Sequence, residues 1–177
     1  FNNQIRDKIL KIIKNLDLDL KKIKLTLDPL KFKITAKTVG TTIFYSKRPL
    51  PLEYIETEIS LISLIKNQII SSKLEITTRS VLLKDLIKFV RAVNNSPQLF
   101  ILEKVINKGY VVINLNLNFD ENKNIKNDYL IKGFLKNGKI KFLKNYNFEN
   151  INFQFDISKN NYLIKKNNFQ TNKVVFA

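Results

Sequence analysis

From Val111 to Phe119 the chain alternates almost without a break. Val111, Ile113, Leu115, Leu117 and Phe119 stand against Val112, Asn114, Asn116 and Asn118. Successive side chains of a strand point to opposite faces, so this stretch reads as a strand with one oily side and one wet side. The same period of two recurs along the chain. Ile23, Leu25 and Leu27 alternate with Lys22, Lys24 and Thr26. After a break at Asp28-Pro29, Leu30, Phe32, Ile34 and Ala36 alternate with Lys31, Lys33 and Thr35, and the two runs read as a hairpin. Gly40 and Lys47–Pro51 mark turns around a short strand, Thr42–Tyr45. A strand from about Glu53 to Leu61 puts Ile55, Thr57, Ile59 and Leu61 on one side and Tyr54, Glu56, Glu58 and Ser60 on the other. Another, Ile69–Thr78, aligns Ile70, Ser72, Leu74 and Ile76.

Strands also fill the end of the chain. A polar turn, Asp120–Asp128, leads to Tyr129, Ile131 and Leu135. Asn137-Gly138 reads as a tight turn before Ile140 and Phe142. Then come Ile151, Phe153, Phe155 and Ile157, next Tyr162 and Ile164, and last Val174–Phe176.

Helical spacing interrupts this pattern at few places. Ile5, Ile9, Ile12, Ile13 and Leu16 fall on one face of an amphipathic helix over Gln4–Leu16, with Asn3 as its cap. Residues 62–67 read as a single helical turn. Ser80 reads as the cap of a helix in which Leu82, Leu86, Phe89 and Val93 share a face, with Lys84, Lys88 and Arg91 opposite. Ser96-Pro97 starts a second helix, to about Ile106, with Gly109 placed to end it. The expected class is therefore mainly β with helices (α+β), with four sections. They are an amphipathic helix (1–17), a first β-section (20–78), a two-helix insert (80–107) and a second β-section (109–177).

Chemistry is limited by what the chain lacks. It has no Cys and no His, which removes thiol nucleophiles, His-based triads and the usual zinc sites. Asp120, Asn122 and Asn124 match the first ligands of a calcium loop, but Ile125 stands where that loop needs Gly and Ile131 where it needs Glu. Ser63 and Lys66 satisfy Ser-x-x-Lys, a short pattern whose companion motifs are missing. Glu56 and Glu58 are neighbours on one strand face, whereas paired catalytic carboxylates oppose each other across a cleft. No catalytic residue, metal or cofactor is expected.

The formal net charge of +16 invites nucleic acid or an anionic membrane. The basic residues, however, are 27 Lys against 4 Arg, beside 23 Asn, which is the usage of AT-rich codons. Phosphate and guanine recognition favours Arg. A solvated lysine surface is the better reading, and no nucleic acid is expected. No apolar run reaches the 18 residues of a membrane span. The start at Phe1 without Met reads as a segment of a longer protein.

Periodicity leaves open what covers the shared apolar face. A second sheet would make a compact sandwich; a lipid chain or an inserted helix would suit an open, curved sheet. The order of motifs narrows this. An amphipathic helix is followed by LDLKKIKLTLDPLKFKITAKTVG, then by Pro51-Leu52-Glu53-Tyr54-Ile55-Glu56-Thr57-Glu58-Ile59-Ser60-Leu61-Ile62-Ser63-Leu64-Ile65, then by Ile70-Ser71-Ser72-Lys73-Leu74-Glu75-Ile76. This resembles the N-terminal region of AsmA-like and TamB-like proteins. Gly109–Ala177 is similar to the strand-after-strand continuation of that family. The insert Val81–Ile106 departs from its simplest form.

The resemblance implies a repeating β-groove: a curved antiparallel meander with a hydrophobic inner face. It implies a periplasmic location, with an inner-membrane anchor upstream of Phe1 in a Gram-negative cell. It also implies a part in moving phospholipid between membranes and in outer-membrane homeostasis. The expected acyl-chain lining begins with Ile23, Leu25, Leu27, Phe32 and Ile34. It continues through Ile55, Ile59, Leu61, Leu74 and Ile76, and ends with Ile113, Leu115, Leu117, Ile131, Phe153 and Phe155. The basic face of helix 81–93 offers a contact to a membrane surface. Protein partners stay unknown. The alternatives are a closed-core β-domain without cargo and a basic nucleic-acid-binding module.

Overall fold

The computed structural model describes residues 16–65, 71–120, 124–143 and 146–171. Alternation makes strands of most of them: β1 (Leu16–Asp19), β2 (Ile23–Asp28), β3 (Lys33–Val39), β4 (Thr42–Tyr45), β5 (Arg48–Ser60), β6 (Ser71–Thr78), β7 (Val81–Leu82), β8 (Ile106–Asn118), β9 (Leu130–Leu143), β10 (Tyr146–Ser158) and β11 (Tyr162–Thr171). All belong to one antiparallel sheet ordered β1-β4-β5-β6-β8-β9-β10-β11. The β2–β3 hairpin joins it along β5, and β7 pairs with the start of β8. The protein is thus mainly β with helices, built on an open, curved meander sheet.

Helical periodicity produces α1 (Leu61–Ile65), α2 (Leu83–Val93) and α3 (Pro97–Val105). The first is the single turn expected near residues 62–67. In α3 the Ser96 hydroxyl accepts from the Leu99 N–H at 3.3 Å, with Pro97 at the first helical position. The expected helix over Gln4–Leu16 lies outside the described residues except for Leu16, which opens β1. Ile70, Ser63–Lys66 as a side-chain pair, Asn122 and Val174–Phe176 also fall outside what is described.

Several local expectations change in the structure. Ser80 does not cap a helix: Val81 and Leu82 first pair with Val111 and Tyr110, and the helix starts at Leu83 with no side-chain cap. Leu30 lies in the β2–β3 turn, 93% exposed, rather than in a strand. Pro49 and Pro51 sit inside β5. They stand at its start, where β4 pairs on one side and β6 pairs only from Leu52 onward, so the missing proline N–H groups break no ladder between two neighbours.

Two glycines, Gly109 expected at a helix end and Gly138 in a tight turn, lie inside strands. Gly109 lies inside β8, and Asn137-Gly138 lies inside the long β9 rather than closing a hairpin. Both mark bulges. Gly109 has φ +141° and Asn137 φ +52°, conformations that a tight turn and a bulge both use. Asn150 (φ +53°) and Lys166 (φ +49°) continue the irregularity into β10 and β11. Gly138 pairs with Ile151, and a Cβ on Gly109 would lie 3.2 Å from the Gly138 Cα. The bulges of neighbouring strands therefore form a crease across the sheet, and bulges raise local twist and bend the strand.

The packed core is small. Leu50, Leu52, Val81, Leu86, Val111 and Leu135 form it, with Ile43, Ile55, Ile76, Leu83, Phe89, Ile113, Ile151, Phe153 and Phe155 half-buried around it. Leu86 brings α2 onto the apolar face at the end of the sheet where β5 and β8 begin. Phe89 meets Tyr45 edge-on at 6.5 Å between ring centroids, which ties the helix to β4. Leu52 is fully buried, while Leu25, on the same apolar face, is 57% exposed. Leu52→Ala should therefore cost about 2–5 kcal/mol of unfolding free energy. Leu25→Ala should cost less than about 0.5 kcal/mol. Urea denaturation of the two variants measures the contrast, and equal losses would contradict this distribution of the core.

Candidate functional site

Cross-strand register decides which side chains share a face, because residues directly opposite in an antiparallel pair point the same way. Leu25 faces Ala36 and Leu27 faces Ile34. Ile34 faces Ile59, and Thr38 links Ile23 to Ile55. Ile55 faces Ile76, and Thr57 faces Leu74. Ile76 and Leu74 meet Leu115 and Leu117. Leu115 meets Ile131, and Ile113 meets Gly133. Gly133 faces Phe155, and Leu135 faces Phe153. Fourteen of the sixteen expected lining residues thus stand on one continuous face. The other two extend its far end. Phe32 lies in the β2–β3 turn and Leu61 opens α1, joined where the Leu61 N–H donates to the Phe32 carbonyl at 2.9 Å.

The face also takes in residues beyond that set: Val111, Leu135, Ile157, Tyr162 and Ile164. Their alternation was visible in the sequence at 111–117 and 151–164. Gly133 is a different case. A Cβ there would stand 2.5 Å from the Phe155 ring, so the ring lies over a gap that only glycine leaves. No periodicity marks such a contact.

We call this open apolar face of the curved sheet the trough. The eight strands from β2 to β11 along the pairing path span roughly 34 Å at the usual strand spacing. Helix α2 covers the end near Leu52. Away from it the lining is half-buried or exposed, and Leu27 reaches 58% exposure. Among the described residues no second sheet lies over it, since every strand belongs to the one sheet.

The opposite face is polar and internally paired. Lys33 binds Glu58 at 2.8 Å and Lys37 binds Glu56 at 2.9 Å, across β3 and β5. Lys165 binds Asp156 at 3.0 Å across β10 and β11. Glu56 and Glu58, side by side on one strand, are therefore ladder partners of lysines. At the centre the Glu75 carboxylate accepts from the Tyr54 hydroxyl at 2.5 Å and from the Asn114 amide at 2.9 Å, with Lys73 at 3.5 Å. The Tyr54 hydrogen bond is the largest influence holding the Glu75 carboxyl below its ordinary range, against the effect of burial. The same bond raises the Tyr54 phenol. The hydrogen bond to Glu56 raises the Lys37 ammonium, which also sits 4.1 Å from the Tyr54 ring centroid.

Such an arrangement supplies an apolar surface backed by a rigid polar one. Among the described residues, no group of three acidic side chains converges as a metal site, and no helix is long and apolar enough to cross a membrane. No family model, curated protein or solved structure matches this chain.

The shifts fix the sign of a pH dependence. Glu75 is lowered, so its contribution to stability is complete above the ordinary glutamate value of about 4.3 and is lost as pH falls through the folded value. Lys37 and Tyr54 are raised, so theirs are complete below their ordinary values and lost as pH rises through the folded ones. Glu75→Gln should flatten the acid limb of stability against pH, measured as urea midpoints. An acid limb unchanged from the parent would contradict the linkage.

Proposed function

We propose that the chain is a non-enzymatic segment that binds phospholipid acyl chains along its apolar face and lets them pass. The observation that carries this reading is the unbroken register of apolar residues from β2 to β11, which the described residues cover at only one end. Burying each methylene of an acyl chain is worth about 0.8 kcal/mol, so a lipid tail gains from lying on this face and the face gains in return. Contacts of this kind are non-directional. Nothing in them fixes a tail at one position, which suits conduction. The headgroup stays at the rim in water.

The resemblance to AsmA-like and TamB-like proteins supports the same reading. On it we assign the chain to an inner-membrane-anchored protein that crosses the periplasm and serves phospholipid transport and outer-membrane homeostasis. A closed-core β-domain fits less well, because its apolar face would meet an opposing layer. A nucleic-acid-binding module also fits less well. Lys33, Lys37, Lys73 and Lys165 on the polar face are each joined to a carboxylate of the same face, and the cations of the chain are 27 Lys against 4 Arg, whereas phosphate and guanine recognition favours Arg.

Photo-crosslinking tests the reading in a cell envelope. A crosslinking residue at Leu115, inside the trough, should capture lipid. One at the next position, Asn116, points to the polar face and should capture little. Equal capture at both positions, or none at Leu115, would end the lipid reading.

A further inference from the structure

Helix α3 has the sequence PQLFILEKV, more than half apolar, yet none of its residues is buried. Phe100 is 47% exposed, Ile101 58% and Leu102 42%. A helix this apolar is ordinarily covered by something. Its neighbour α2 has spent its own apolar face on the sheet through the buried Leu86, with Leu83 and Phe89 beside it, and leaves Val90 and Val93 exposed. The hairpin therefore ends in an uncovered apolar knob.

Cations frame that knob. The Arg91 guanidinium lies 5.2 Å and the Lys104 ammonium 5.6 Å from the centroid of the Phe100 ring. Arg91 also pairs with Glu103, which holds α2 against α3. Lys84 and Lys88 follow on α2, with Lys88 beside Asp85. Exposed apolar side chains with cations at their edge suit the boundary between headgroups and acyl chains. There the cations meet lipid phosphates and each contributes to attraction by an anionic leaflet. A second copy of this chain is a poor occupant, since each copy carries +16 and brings its own cations to the contact.

We propose that the α2–α3 hairpin docks on an anionic phospholipid bilayer, with Phe100, Ile101 and Leu102 entering the headgroup boundary and Lys104 on the phosphates. The proposal is independent of what the trough carries, because no α3 residue belongs to its lining or to the packed core. It gives the hairpin a role that the basic face of α2 alone does not supply.

The chain contains no Trp, so Phe100→Trp introduces a single reporter at the centre of the knob. Its emission should shift to the blue on adding vesicles of phosphatidylcholine with phosphatidylglycerol, and should stay put with phosphatidylcholine alone. Sedimentation with the same vesicles should show binding that weakens with salt. Ile101→Asp should weaken it about tenfold or more, while Asn160→Ser, in the exposed β10–β11 turn, should leave it unchanged. The proposal is overturned if the emission does not move with anionic vesicles, or if Ile101→Asp binds as the parent does. It is equally overturned if the shift follows protein concentration instead of lipid, which would mark a self-interface.

Discussion

A sheet that keeps its apolar side chains on one face leaves that face in water unless something covers it, and each square ångström left uncovered forgoes about 25 cal/mol. In this protein the cover is partial. The α2 helix and the strands around Leu52 make a compact seal at one end, and the face then runs on from β2 to β11 with its side chains half-buried by one another. The rest of the architecture follows from that imbalance. A small core holds the sheet in register, and a broad apolar surface is left uncovered by the described residues.

The polar face explains how such a sheet stays defined without a second layer. Exposed ion pairs contribute little one at a time. Here they recur as cross-strand partners, Lys33 with Glu58 and Lys37 with Glu56, and converge on the Tyr54–Glu75–Asn114 network. Slipping any strand by one residue would carry these charges into the trough and the isoleucines into water. The ladder therefore specifies register more than it adds stability. The crease through Gly109, Gly138 and Asn150 acts at a different scale, bending long strands that would otherwise run straight.

What the sequence disclosed, and what it hid, has a physical pattern. The alternation through Ile23–Leu27, Ile55–Ile59 and Val111–Leu117 identified both faces, because side-chain period and burial are the same fact in a strand. Punctuation was less legible. Asn137-Gly138 signals a positive φ, which a hairpin turn and a bulge satisfy alike, and only the pairing of β9 with β8 and β10 tells them apart. Pro49 and Pro51 suggested a turn, yet a strand start with one paired side tolerates them. Ser80 has the chemistry of a cap, but the pairing of Val81 with Val111 delays the helix past its reach. The exposed apolar surface of α3 was hidden for a related reason. Leu99 to Leu102 look like core by composition, and only the packed structure reveals that Phe100, Ile101 and Leu102 stay exposed.

The central claim is that the trough is open to lipid and not sealed by the chain itself. The absence of Cys makes single-thiol labelling a direct measure. Leu117→Cys reports from the trough and Asn116→Cys from the polar face. The account predicts that a soluble maleimide labels both readily in the absence of lipid, and that added phospholipid slows the reaction at Leu117→Cys alone. Slow labelling at Leu117→Cys before any lipid is present, unchanged when lipid is added, would contradict it.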